Sequence, residues 1–234
     1  MNLRAGEYLI VSSCIKVPYT VKNLISLISK LQLFDVQFGG ANFLNIAPEE
    51  ANFEMLWNGV DEVALDTFTI EDLECYFLSS LEIRFNDDIH ARLDINFLDE
   101  YSYEVSIIFN YTELIAEESS FEKTLERSKF VEDVGIVLFE EMDPLYGCIG
   151  VERSVCGIKA IRNRECNFPS DRAYYSPQLY NKDLRLFKDI VSRSSFFHEL
   201  GNGGCYFRKT ELNNYNLLES NDENDLFYKL IQYL

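Results

Sequence analysis

The chain has 234 residues, 47% hydrophobic and 14% aromatic, with 21 basic against 39 acidic side chains and a formal net charge of −18. That apolar content can bury a sizeable core, which excludes global disorder, and no run approaches the roughly 18 consecutive apolar residues of a membrane-crossing helix. Residues Met1 to Glu7 lack the apolar stretch and cleavage site of a secretory leader, so the chain reads as cytoplasmic, with no membrane partner.

In chain order, Glu7–Val17 reads as a strand that Pro18 stops. Thr20 is placed to cap a helix running to about Phe34, with Leu24, Leu27, Ile28 and Leu31 on one face. A short strand is expected over Phe34–Phe38, broken by Gly39 and Gly40, with a loop to about residue 52. Phe53, Met55, Leu56 and Trp57 form an apolar knot that the pattern assigns to neither helix nor strand. Val63–Phe68 reads as a strand, and Thr69 offers a second helix cap with Leu73, Tyr76 and Phe77 on the buried side.

The clearest pattern covers Leu81–Met142. In its middle strand Ile89, Ala91, Leu93, Ile95 and Phe97 alternate with His90, Arg92, Asp94 and Asn96. Tyr101, Tyr103, Val105, Ile107, Phe109 and Tyr111 then alternate with Ser102, Glu104, Ser106 and Asn110. Side chains point to opposite faces along a strand, so each run has one apolar and one polar face. A sheet of this kind is antiparallel and covered on one side. The cover is expected to be a helix opened by Ser119 and Glu122 as a capping box, with Phe121, Leu125, Val131, Val134, Leu138 and Met142 inward. Gly135 inside it should cost about 1 kcal/mol relative to Ala. Its polar side carries Glu118, Glu122, Glu126, Glu132, Asp133, Glu140 and Glu141.

Past Pro144, Tyr146–Glu152 and Val155–Ile161 read as short strands and Asn181–Arg193 as a helix. Gly201–Gly204 reads as a turn leading into a strand at Cys205–Arg208, and Asn224–Leu234 as a closing amphipathic helix. The fold class is α+β: an antiparallel sheet covered on one face by helices. One domain is expected over 1–234, with an acidic part, 1–150, and a charge-balanced part, 151–234.

Six cysteines, Cys14, Cys75, Cys148, Cys156, Cys166 and Cys205, are dispersed without a Cys-x-x-Cys pair, and the histidines are His90 and His198. Reduced thiols and no structural metal site follow from that distribution. His198 with Cys205 is the one arrangement resembling a nucleophile and its base. The glycines at 201–204 lack the Lys-Ser or Lys-Thr ending of a phosphate loop. No coherent catalytic set is present and no cofactor is called for, so the chain is read as a binding protein rather than an enzyme.

Charge supplies the functional argument. Residues 1–150 hold 9 basic and 28 acidic side chains, whereas 151–234 hold 12 and 11. A phosphate-binding surface needs clustered Lys and Arg, so nucleic acid is disfavoured and a basic protein partner is favoured. In size, acidity and organisation the chain resembles bacterial immunity proteins. That resemblance implies a toxin partner, often a nuclease, neutralised by direct contact in the cytosol. The partner-binding residues expected from helical spacing are Glu118, Glu122, Glu126, Asp133, Glu140 and Glu141. Two alternatives stand beside this reading: a nucleic-acid mimic that inhibits a DNA-binding defence protein, and a small enzyme using His198 and Cys205.

Overall fold

A computed structural model describes residues 8–85, 89–110, 114, 120–151, 154–165 and 172–212. The fold is α+β, built on one antiparallel sheet. In chain order the strands are β1 (Tyr8–Lys16), β2 (Val36–Leu44), β3 (Glu62–Leu65), β4 (Phe77–Phe85), β5 (Ile89–Asp99), β6 (Ser102–Asn110), β7 (Tyr146–Val151), β8 (Arg172–Tyr175), β9 (Phe196–Glu199) and β10 (Cys205–Arg208). They lie in the order β3-β2-β4-β5-β6-β1-β7-β8-β10-β9. The helices are α1 (Val21–Leu31), α2 (Phe53–Asn58), α3 (Asp72–Cys75), α4 (Phe121–Met142), α5 (Ile158–Arg162), α6 (Pro177–Tyr180) and α7 (Leu184–Ser192).

The alternation read in the sequence sets the layers. Leu93, Ile95, Tyr103, Val105, Ile107 and Phe109 turn to one face, where α1 and α4 cover them. Leu24, Leu27, Ile28 and Leu31 of α1 and Val131, Val134, Leu138 and Met142 of α4 complete that core. On the opposite face, Cys14, Tyr146, Cys148, Ala173, Tyr175, Cys205 and Phe207 form a second apolar cluster. Ile158 and Ile161 of α5, Leu179 of α6 and Leu186 and Phe187 of α7 close it. Among the described residues, helices therefore cover one face across the middle of the sheet and one end of the other.

Several local expectations change. β2 runs straight through Gly39 and Gly40, absorbing them as a register shift between Phe38 and Ala41 instead of ending there. The apolar knot at Phe53 is helix α2. Val155–Ile161 is not a strand: Ile158 to Arg162 form α5, because Asp99 at the end of β5 accepts from Lys159 N at 2.7 Å while Ser102 Oγ accepts from Ile158 N at 3.0 Å. These distant side chains satisfy amides that a helix N-terminus leaves open. The expected helix at Asn181–Arg193 is the shorter α7, and the separate turn of α6 precedes it. The cap of α4 is Ser120, whose Oγ accepts from Lys123 N at 3.3 Å. Ser119, Cys166 and the stretch 224–234 lie outside the described residues.

Gly135 has a packing reason that helix propensity conceals. A Cβ there would lie 2.7 Å from Ile149 Cδ1 of β7 and 3.2 Å from Val11 Cγ1 of β1, so its bare backbone lets α4 settle onto the sheet. Among the described residues no helix is long and apolar enough to cross a membrane.

Candidate protein interface

Lys30 and Arg84 are consecutive basic residues: between them, residues 31–83 carry eleven carboxylates and no Lys, Arg or His. Most of this charge lies on β3, α2, α3 and their connections; β3 is an end strand of the sheet, α2 packs on β5, and α3 packs on α1 and β4. Glu49, Glu50, Glu54, Asp61, Glu62, Asp66, Glu71 and Glu74 are all exposed, and none of them forms an ion pair among the described residues. Uncompensated charge of one sign destabilises the compact state but focuses a field outward.

An exposed aromatic side chain sits within this acidic region. Asn52 starts α2 by accepting from Met55 N at 3.1 Å through Oδ1, and Gly59, with φ +88°, ends it. Within that short helix Phe53 stacks on Trp57 at 6.2 Å between ring centroids. Trp57 is 82% exposed, the most exposed large hydrophobic residue described, and Met55 beside it is also exposed. Tryptophan is enriched among the residues that carry most of the binding energy at protein interfaces. Asp72 is the exception among the local acids, because its Oδ2 accepts from Thr69 N at 2.8 Å and Thr69 Oγ1 at 2.9 Å, closing the turn before α3.

The helix-face candidates separate into two groups. Glu122 and Glu126 are exposed near the start of α4. Asp133 is half-buried and paired with Lys129 one turn away. Glu140 accepts from Gly201 N at 2.7 Å, and Glu141 accepts from Ser26 Oγ of α1, so both hold neighbouring segments in place. Glu118 lies outside the described residues. Glu132, expected on the solvated side, is 1% exposed: Arg208 of β10 and the Tyr206 hydroxyl bind its Oε1. Conversely Phe121, expected inward, is 68% exposed.

His198 and Cys205 do not meet as a catalytic pair. His198 stands opposite Tyr206 in the β9–β10 register, and its ring stacks near Phe196 on the face that carries α4. Cys205 is one position along β10 and turns to the other face, among Tyr175 and Leu179. Burial, then the charge of Glu199, pushes its thiol up to about 11, with the Tyr180 hydrogen bond opposing. Among the described residues no three His, Cys, Asp or Glu side chains converge as metal ligands.

The end of the second sheet face that no described helix covers holds a groove of about 670 Å³, with Tyr8, Glu82, Arg84, His90, Arg92 and Asn110 on its walls. Arg92 is committed within the chain, reaching Asp94 through two bonds of 2.7 Å. Charges of both signs therefore line it.

No protein-family model matches this chain, and no curated protein matches it. Among solved structures it is similar to a chain described as "Pseudomonas aeruginosa T6SS protein PA0821", with a TM-score of 0.49 and 12% sequence identity. The match covers 86% of this chain and 65% of that one, so this chain spans less than two thirds of that protein's length.

Proposed function

We propose that this chain is an acidic binding protein that captures a basic protein, and that the capture neutralises a toxin by direct contact. The observation that carries the reading is the set of exposed carboxylates in residues 31–83, a stretch without one Lys or Arg, together with the exposed Trp57 on α2. Such a surface steers a basic partner into encounter, and a desolvated indole then slows its escape. The toxin assignment adds the whole-chain resemblance to immunity proteins.

The test begins with a partner captured on immobilised protein and then purified. Stopped-flow association is measured at several ionic strengths. Reversing Glu54, Asp61 and Glu62 to Lys should slow association about tenfold or more at low salt and flatten its salt dependence. Trp57→Ala should raise the dissociation rate, costing about 2 kcal/mol of affinity. An association rate indifferent to salt removes the charge-based reading. A larger effect from reversing Glu122 and Glu126 than from reversing Glu54, Asp61 and Glu62 would move the interface to α4. The neutralisation claim fails if the partner keeps its toxicity when this chain is in excess.

A further inference from the structure

β3 is an end strand of the sheet, paired with β2 on one side and with no other strand among the described residues. The hydrogen bond from Asn45 N to Asp61 O, 2.8 Å, shows which of its residues face β2. In an antiparallel pair, residues exchanging direct bonds alternate with residues whose N–H and C=O point away from the partner. Asn45 and Asp61 are a bonded pair, and the same register makes Val63 with Phe43, and Leu65 with Ala41, bonded pairs too. Glu62 and Ala64 therefore turn N–H and C=O to the free edge. Their side chains are exposed on one face, whereas Val63 and Leu65 pack against the main core on the other.

Free strand edges invite pairing, and here the charge selects the guest. Asp61, Glu62 and Asp66 on and beside the strand would oppose the same acids of a second copy, because like charges across a strand pair repel. A strand carrying Lys or Arg on the Glu62 face is attracted instead. On the other face, beside Val63 and Leu65, its residues would be apolar.

We infer that β3 receives an extended segment of the basic partner as an added strand, with alternating basic and apolar residues. This rests on the reading that the partner is basic; what it adds is backbone pairing at Glu62 and Ala64.

The probe is a fluorescein-labelled peptide, acetyl-Lys-Val-Lys-Thr-Lys-Val-Lys-amide, titrated by anisotropy at low and high salt. Its control has proline at the three intervening positions, which keeps the charge and spacing but cannot pair as a strand. The parent peptide should bind with a dissociation constant under about 1 mM and at least about fivefold more tightly than the control. It should also slow hydrogen exchange at the Glu62 and Ala64 amides. Ala64→Pro removes an outward N–H without touching a bond to β2, and should weaken the parent peptide to the level of the control. If the parent and the control bind equally with full salt dependence, strand addition is overturned and the acidic reading survives. Edge protection without salt dependence keeps strand addition and removes the charge argument. Absence of binding by either peptide overturns the inference. Should Ala64→Pro fail to fold, the two peptides on the unmodified protein still decide it.

Discussion

Arg208 Nε donates to Glu132 Oε1 across 3.0 Å, tying β10 to the middle of α4 where both side chains are almost wholly withdrawn from water. The same oxygen accepts from Tyr206 OH at 2.9 Å, and the guanidinium lies 5.2 Å from the Phe196 ring centroid. Removing one partner strands a buried charge, which costs about 3–5 kcal/mol. Glu132→Ala and Arg208→Ala should each lose that much in urea denaturation. Glu132→Leu with Arg208→Met should recover much of it, because an apolar pair needs no compensation. A double variant no more stable than the singles would show that the ion pair is not the source of the loss.

The sheet alternation makes a sharper stability claim. Ile95 and Phe109 are buried, so Ile95→Ala and Phe109→Ala should each cost about 2–5 kcal/mol. Asn96, next to Ile95 but on the exposed face, should tolerate Ala at little cost. Chemical denaturation of the three variants is sufficient, and equal losses at all three would contradict the layer assignment.

Two glycines should respond unequally to alanine. At Gly135 the added methyl meets the flexible end of Ile149, so relaxation offsets part of the clash. At Gly147 it would come within 2.4 Å of Phe139 Cε1 and 2.9 Å of the Ser12 carbonyl oxygen, which cannot move aside. Gly147→Ala should therefore destabilise the fold by about 1–3 kcal/mol in overpacking alone, and thermal melts should show a larger drop in melting temperature than for Gly135→Ala.

Glu104 makes stability depend on pH. Burial pushes its carboxyl above the usual range; hydrogen bonds from Ser12 and the Val155 backbone offset part of that, and the charge of Asp94 adds to it. The folded chain thus holds this proton more tightly than the unfolded chain does. The stability this group contributes is full below the ordinary carboxylate pKa and is lost as pH rises through the elevated folded value. Glu104→Gln should raise the melting temperature at neutral pH and flatten its fall across that window. Thermal scans of both proteins from acid to neutral pH check it, and parallel curves would contradict it.

Cysteine chemistry gives a last measurement. Cys75 is exposed, while Cys14, Cys148 and Cys205 are buried, so Cys75 should react first with a thiol reagent in the native protein. Burial pushes the Cys14 thiol far up, and it should be among the slowest. Denatured, unreduced protein should titrate six thiols.

What was legible in the chain followed from period and from local signals. The strands β5 and β6 announce themselves because a period of two over nine or more residues has few other readings. The helix at Ile158 does not, because its amides are satisfied by Asp99 and Ser102, 60 and 56 residues earlier. The four-residue strands β8 and β9 are too short to show alternation, and their pairing with β10 is what extends them. Burial of Glu132 was equally invisible, since Arg208 lies 76 residues away. The acidic end was visible in principle: a charge count in shorter windows isolates residues 31–83, whereas a division at residue 150 dilutes them. What no window shows is that β3 ends the sheet, which depends on the strand order.

The position of β1 bears on how the molecule is assembled. It sits between β6 and β7, giving Leu9, Val11 and Ile15 to one cluster and Cys14 to the other. During synthesis this strand precedes the other described strands, yet its neighbours come from the middle of the chain: β6 ends the first group of strands and β7 begins the second. The nascent segment must therefore remain unpaired while β2 to β5 are made, and only its late capture turns two partial sheets into one. A chaperone that shields Tyr8–Lys16 would act on the seam between the two groups of strands.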